Sequence, residues 1–188
     1  WRASLFAFII ESLMVTLLLA QVIPTEWALI LLIVAGLIAI IFYISARQLG
    51  WRRQVTFSWE ARWPQMASLT SFRVMAIILV GGAYFVARDG VHLPGVDSLF
   101  RDAIVWLALM GLLGLSMHEE PLHAGLSLFT LLSAFELLLF TLVQRRMMVG
   151  LVGGGQLLLG LAIAYLIVSR GLAVDDASEF ADALGGAP

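Results

Sequence analysis

Trp27-Ala28-Leu29-Ile30-Leu31-Leu32-Ile33-Val34-Ala35-Gly36-Leu37-Ile38-Ala39-Ile40-Ile41-Phe42-Tyr43-Ile44-Ser45-Ala46 runs without one charged side chain. As a helix rising about 1.5 Å per residue, it covers about 30 Å, the thickness of a bilayer's hydrocarbon core. Its middle, Ile30 to Val34, is apolar on every face, so the alternation of a membrane β-strand is missing. In lipid every backbone polar group must be satisfied within the segment, which leaves the helix.

Working outward, the same reading predicts six spans, at about 4–23, 27–46, 72–87, 103–117, 122–143 and 147–169. The first stops at Pro24, Arg73 marks the start of the third, and the fourth is short. Composition agrees: 61% of the residues are hydrophobic and 13% charged, against about 25% charged in a soluble domain. Mean hydropathy is +0.98. The expected fold is an all-α, polytopic transmembrane bundle over residues 1–170, followed by an acidic tail over 171–188. A net charge of -2 gives no sign of nucleic acid. With no cysteine, disulfides, thiolate metal sites and cysteine nucleophiles are excluded. The chain begins at Trp1, which leaves room for residues upstream, and its first apolar stretch is too long for a simple secretion signal.

Two connections carry information. Residues 47–64 hold Arg47, Trp51, Arg52, Arg53, Phe57, Trp59, Arg62 and Trp63. Basic and aromatic residues at this density read as an interfacial anchor at the headgroup level, or as a docking surface for a partner subunit or anionic lipid. The excess of positive charge places this loop in the cytoplasm, and six spans then place both termini there. Arg145 and Arg146 land outside, against the rule. The other connection, 88–102, is broken by Gly90, Pro94 and Gly95 and made acidic by Asp89, Asp97 and Asp102. The tail carries Asp175, Asp176, Glu179 and Asp182, and is either a short amphipathic helix or disordered.

Chemistry is sparse. Glu11 and Glu136 are the two clear charges within the spans, and Gln156 follows Gly153, Gly154 and Gly155 in the sixth. An ionised side chain costs several kcal/mol in hydrocarbon, so such residues are functional candidates by default. A neutral carboxyl donates one hydrogen bond and accepts others. Glu11, Glu136 and Gln156 are therefore either stops on a proton relay or glue between helices. Gly150, Gly153, Gly154 and Gly155, and more weakly Gly111 and Gly114, mark close helix packing or a place where another subunit docks. His118-Glu119-Glu120-Pro121-Leu122-His123 is the one cluster of potential metal ligands. Its histidines are five apart across a proline and match no standard metal arrangement, so the stretch reads as a helix start. No dinucleotide fingerprint, phosphate loop or convincing nucleophile is present, and no histidine lies clearly inside a span to ligate haem. The expectation is a chain with no cofactor, no metal and no catalytic site of its own.

The opening Arg2-Ala3-Ser4-Leu5-Phe6-Ala7-Phe8 through Glu11-Ser12-Leu13, and the closing Tyr43-Ile44-Ser45-Ala46-Arg47 of the second span, resemble the E-type membrane subunit of hydrogenase-4. The stretch from Val86 to Pro94 and Gly111-Leu112-Leu113-Gly114-Leu115-Ser116-Met117-His118 continue in the same order. Pro121 to Leu139 is similar to the region related to the small K-type subunit of respiratory complex I. The likeness covers most of the chain and rests on helix order and small-residue spacing. It implies a non-redox subunit in the membrane arm of a complex I-like, hydrogenase-like or cation-antiporter-like assembly in a bacterial inner membrane. Its partners would be other membrane subunits, antiporter-like ones among them, and lipids, with no nucleic acid and no soluble substrate. The chain departs from the family in three places. It has no lysine, where the family keeps one near Gly36. Its acid in the fifth span is Glu136, one turn after the family's position near Leu132. Glu11 stands where the family more often has an amide. Outside this class, the sequence leaves a small independent transporter or channel, and an accessory scaffold of a photosynthetic or respiratory complex.

Overall fold

The computed structural model describes residues 2–52, 63–90, 96–117, 121–143 and 145–185, with side chains over 2–47, 74–88, 96–117, 121–143 and 145–169. Six helices follow one another: α1 (Arg2–Leu19), α2 (Thr25–Arg52), α3 (Trp63–Gly90), α4 (Ser98–Met117), α5 (Pro121–Leu142) and α6 (Arg146–Gly185). The described residues contain no strand.

Local chemistry sets the boundaries. Proline disfavours helical geometry in the residue before it, and α1 ends accordingly ahead of Pro24. Its last turn tightens through Gln21 N–H to Leu18 O (3.0 Å) and Val22 N–H to Leu19 O (2.9 Å). Trp27 N–H then bonds Pro24 O at 2.9 Å and opens α2. Pro121 opens α5, where its missing N–H costs nothing because the first helical N–H groups have no intrahelical partner.

Among the described residues five segments are long and apolar enough to cross a membrane: Arg2–Leu19, Thr25–Arg47, Ser98–Met117, Pro121–Leu142 and Arg146–Ser169. By length and composition the chain is a multi-pass membrane protein. The third helix differs from expectation. It extends past 72–87 at both ends, and among the residues whose side chains are described Val74–Arg88 is apolar. The fourth helix begins at Ser98 rather than 103, giving it full length. Residues 171–185 of the acidic tail are neither a separate short helix nor coil: they continue α6 without a break. At 40 residues α6 is about 60 Å long, twice the hydrocarbon thickness.

The helices pack as a ring. α1 lies on α2, α2 on α6, α6 on α5, and α5 back on α1. α4 covers the outside of α5 in the most extensive pairing of the molecule, and α3 covers α4. The interior divides into two apolar layers. One gathers Leu5 and Phe8 of α1, Ile38 and Phe42 of α2, Leu126 and Phe129 of α5, and Ile163 and Ile167 of α6. The other gathers Val15 and Leu19 of α1, Leu31 of α2, Ile104 of α4, Leu137 and Phe140 of α5, and Val149 of α6. The order of these residues shows α1 and α5 running parallel, with α2 and α6 antiparallel to them. Phe129 meets Phe8 and Phe42 edge-on, with centroids 5.8 and 5.7 Å apart, locking three helices in the first layer. Large side chains such as Phe6, Ile33, Ile78, Val86 and Leu158 point outward, as a helix surface facing lipid requires. Burial from water cannot drive helices together inside lipid, so close packing and interhelical hydrogen bonds hold the ring.

The clearest close approach is α4 on α5. A Cβ on Gly111 would lie 2.6 Å from the backbone nitrogen of Leu131, and one on Gly114 would overlap the Ser127 hydroxyl. Glycine at both positions lets α4 sit directly on the backbone of α5.

Candidate functional site

A polar layer lies between the two apolar ones. α1 supplies Ser12, α5 supplies Ser133 and Glu136, and α6 supplies Gln156, all buried. α2 contributes only Ala35 at this depth. Each helix is apolar above and below its polar residue, so the ring closes around these side chains and removes them from lipid.

The two halves of this layer are built alike. Gln156 Nε2 donates to Glu136 Oε2 at 2.9 Å, joining α6 to α5, with Glu136 only 4% exposed and Gln156 7%. Thr130 Oγ1 donates to Glu11 Oε2 at 2.9 Å, joining α5 to α1. The same hydroxyl lies 3.2 Å from Leu126 O, so its one proton has two acceptors in reach. In each carboxyl the second oxygen, Oε1, is buried without a hydrogen-bond partner among the described residues. Both partners are neutral. Arg88 and Arg101 pair instead with Asp102, at 3.5 and 3.2 Å, at the end of the bundle where α4 begins.

Helical geometry explains why α5 serves both acids. Each residue turns the helix by about 100°, so the six steps from Thr130 to Glu136 place them on faces about 120° apart. Thr130 therefore meets α1 and Glu136 meets α6, with roughly 9 Å of rise between them. Ser133 stands between the two, and the hydroxyls of Ser12 and Thr16 border the same space from α1. Ser12 donates to Phe8 O (2.8 Å) and Thr16 to Ser12 O (2.7 Å), which leaves their oxygen lone pairs available as acceptors.

The two acids differ in access. Glu136 faces a small space of about 20 Å³. Glu11 faces an open groove of about 320 Å³ between α1, α4 and α5, bordered by Ser4, Met110, His123, Ser127 and Thr130. His123 Nε2 and Ser4 Oγ lie 3.3 Å apart in that groove.

Of the candidates named from sequence, the structure joins Glu136 to Gln156 and gives Glu11 a different partner. Gly111 and Gly114 lie at the α4–α5 crossing, and Gly153 makes ordinary contact with Val34 of α2. Gly150, Gly154 and Gly155 face open space. Arg53, Trp59 and Arg62 lie outside the described residues, as do the side chains of Trp51, Arg52 and Trp63. His118, Glu119 and Glu120 lie outside them too, and among the described residues no three acidic or histidine side chains gather as a metal site would require. Sequence reasoning missed Thr130, Ser12 and Ser133. The one signal was a run of hydroxyl residues, Ser127, Thr130 and Ser133, at three-residue steps leading to Glu136. Comparison with family models, with curated proteins and with solved structures found no match for this chain.

Proposed function

We propose that this chain is a non-redox membrane subunit of a complex I-like, membrane-bound hydrogenase-like or cation-antiporter-like assembly, and that Glu11, Glu136 and Gln156 contribute to proton movement through its membrane arm. One observation carries the reading. Glu136 sits between two apolar layers, held by the neutral amide of Gln156, with its other oxygen unpartnered. The bond to Gln156 fixes one oxygen, and the other has no fixed protein partner among the described residues. A carboxyl that takes and returns a proton needs one oxygen that can exchange bonds with water or a mobile donor. Glu11 repeats the arrangement one helix away, and Thr130, Ser133 and Ser12 stand between the two acids. The roughly 9 Å of rise along α5 exceeds a direct hydrogen bond, so transfer between them passes through hydroxyls or water.

A relay of this length does not cross the membrane alone. The groove beside Glu11 is open between α1, α4 and α5, which suits a subunit that meets its proton donor or acceptor in a neighbouring chain. Glu136→Gln, measured in the intact assembly, keeps the Gln156 contact and abolishes the titrating group. Coupled proton movement is expected to fall at least tenfold while the subunits still copurify. Unchanged proton movement would return Glu136 to a packing role, in which case Glu136→Leu loosens subunit association instead.

A further inference from the structure

We infer that the small space beside Glu136 is a binding site for a water molecule, which bridges Glu136 Oε1 to the Ser12 hydroxyl and so links α1 to the α5–α6 carboxyl–amide pair.

Size comes first. The space measures about 20 Å³, and a water needs about 10–15 Å³. There is room for a water. Polarity comes next. Most of the walls are apolar, from Phe8, Val15, Leu31 and Phe129, and a purely apolar void of this kind stays dry. The polar lining is Ser12, Thr16, Ser133, Glu136 and Gln156, more than the two to four polar partners that hold a buried water.

The bonding inventory then assigns the partners. Glu136 Oε2 is taken by Gln156, while Oε1 has no partner in the protein although Glu136 is more than nine-tenths buried. Ser12 has used its proton on Phe8 O and retains lone pairs. A water facing both can donate to Ser12 and either donate to or accept from Oε1, so it fits the carboxyl in both protonation states. Such a water satisfies the carboxyl whether or not protons travel through it, so its presence and the relay are decided separately.

The test is a density map of the whole assembly at about 2 Å resolution or better. A solvent peak is expected 2.6–3.2 Å from Glu136 Oε1 and within the same range of Ser12 Oγ. In Ser12→Ala the peak is expected to weaken or disappear, and Glu136→Gln, which retains an acceptor and a donor there, is expected to keep it. An empty site in the parent protein, in a map that resolves other buried waters, would overturn the proposal. So would a peak of unchanged occupancy in Ser12→Ala, since the bridge to α1 would then not exist. Unchanged proton movement in Glu136→Gln removes the relay and leaves this peak where it is.

Discussion

The Glu136–Gln156 bond offers a quantitative test of what holds the ring closed at mid-depth. Gln156→Leu keeps the side-chain volume and deletes the donor 2.9 Å from Glu136 Oε2. The carboxyl then has no protein partner on either oxygen, since Oε1 already lacks one. A stranded buried polar group costs about 1–3 kcal/mol. Interhelical hydrogen bonds in membranes average only about 0.6 and reach about 1.7 kcal/mol, because the unfolded chain in lipid also finds partners. Deep burial on both sides places this pair near the upper end, so Gln156→Leu should cost about 1–2 kcal/mol. Glu136→Leu strands the amide of Gln156 and should cost a similar amount. The double variant replaces both partners with apolar groups of matching shape, a change that is often nearly neutral. With the double variant near zero, the two single losses give an expected coupling energy of about 2–4 kcal/mol in magnitude. Unfolding in mixed micelles by titration with a denaturing detergent, followed by circular dichroism, measures all four corners of the cycle. A coupling energy within about 0.5 kcal/mol of zero, the range of independent sites, would show that the bond does not hold α5 to α6.

Three further changes probe the packing and the second acid. Gly111→Ala places a Cβ 2.6 Å from the Leu131 backbone, so thermal unfolding should show a loss of about 1–3 kcal/mol from overpacking; Gly154→Ala, which meets open space, should show none. Thr130→Val removes the donor to Glu11 without changing shape and should cost about 1 kcal/mol in the same detergent titration, with Thr130→Ser recovering most of it. Arg88→Gln breaks a half-exposed ion pair with Asp102 and should change stability by less than about 1 kcal/mol, because exposed pairs are solvated and entropically costly.

The membrane ring also shows why an acid can persist at this depth. Ser12, Ser133, Glu136 and Gln156 lie between two layers of apolar inward residues, and α2 faces them with Ala35. The ring hides the polar atoms from lipid, and the outward faces carry the large apolar side chains. Glu11 lies nearer the rim of this arrangement. Its groove is walled by α4 only because Gly111 and Gly114 let that helix approach α5 closely. The glycines of the fourth span, read from sequence as weak packing signals, thus shape the surroundings of one of the two acids. Those of the sixth span divide: Gly153 packs against α2, and Gly150, Gly154 and Gly155 remain on the open side.

What the amino-acid order determines by itself is everything that depends on a run of neighbours. The twenty uncharged residues from Trp27 to Ala46 must be a helix in lipid, whatever surrounds them. Glu11, Glu136 and Gln156 stand out for the same reason, as polar groups that interrupt such runs. Local reading loses precision at the ends, where capping and flanking polar residues compete: α4 begins five residues earlier than expected, and α6 does not stop at the acidic tail. Which side chain meets which is a different kind of fact. Thr130 reaches Glu11 across 119 positions, and Gln156 reaches Glu136 because α5 and α6 are antiparallel neighbours in a closed ring. No periodicity in the chain encodes those pairings. They follow from helix rotation and from where the smallest side chains allow close contact, and both are settled only when all the helices pack together.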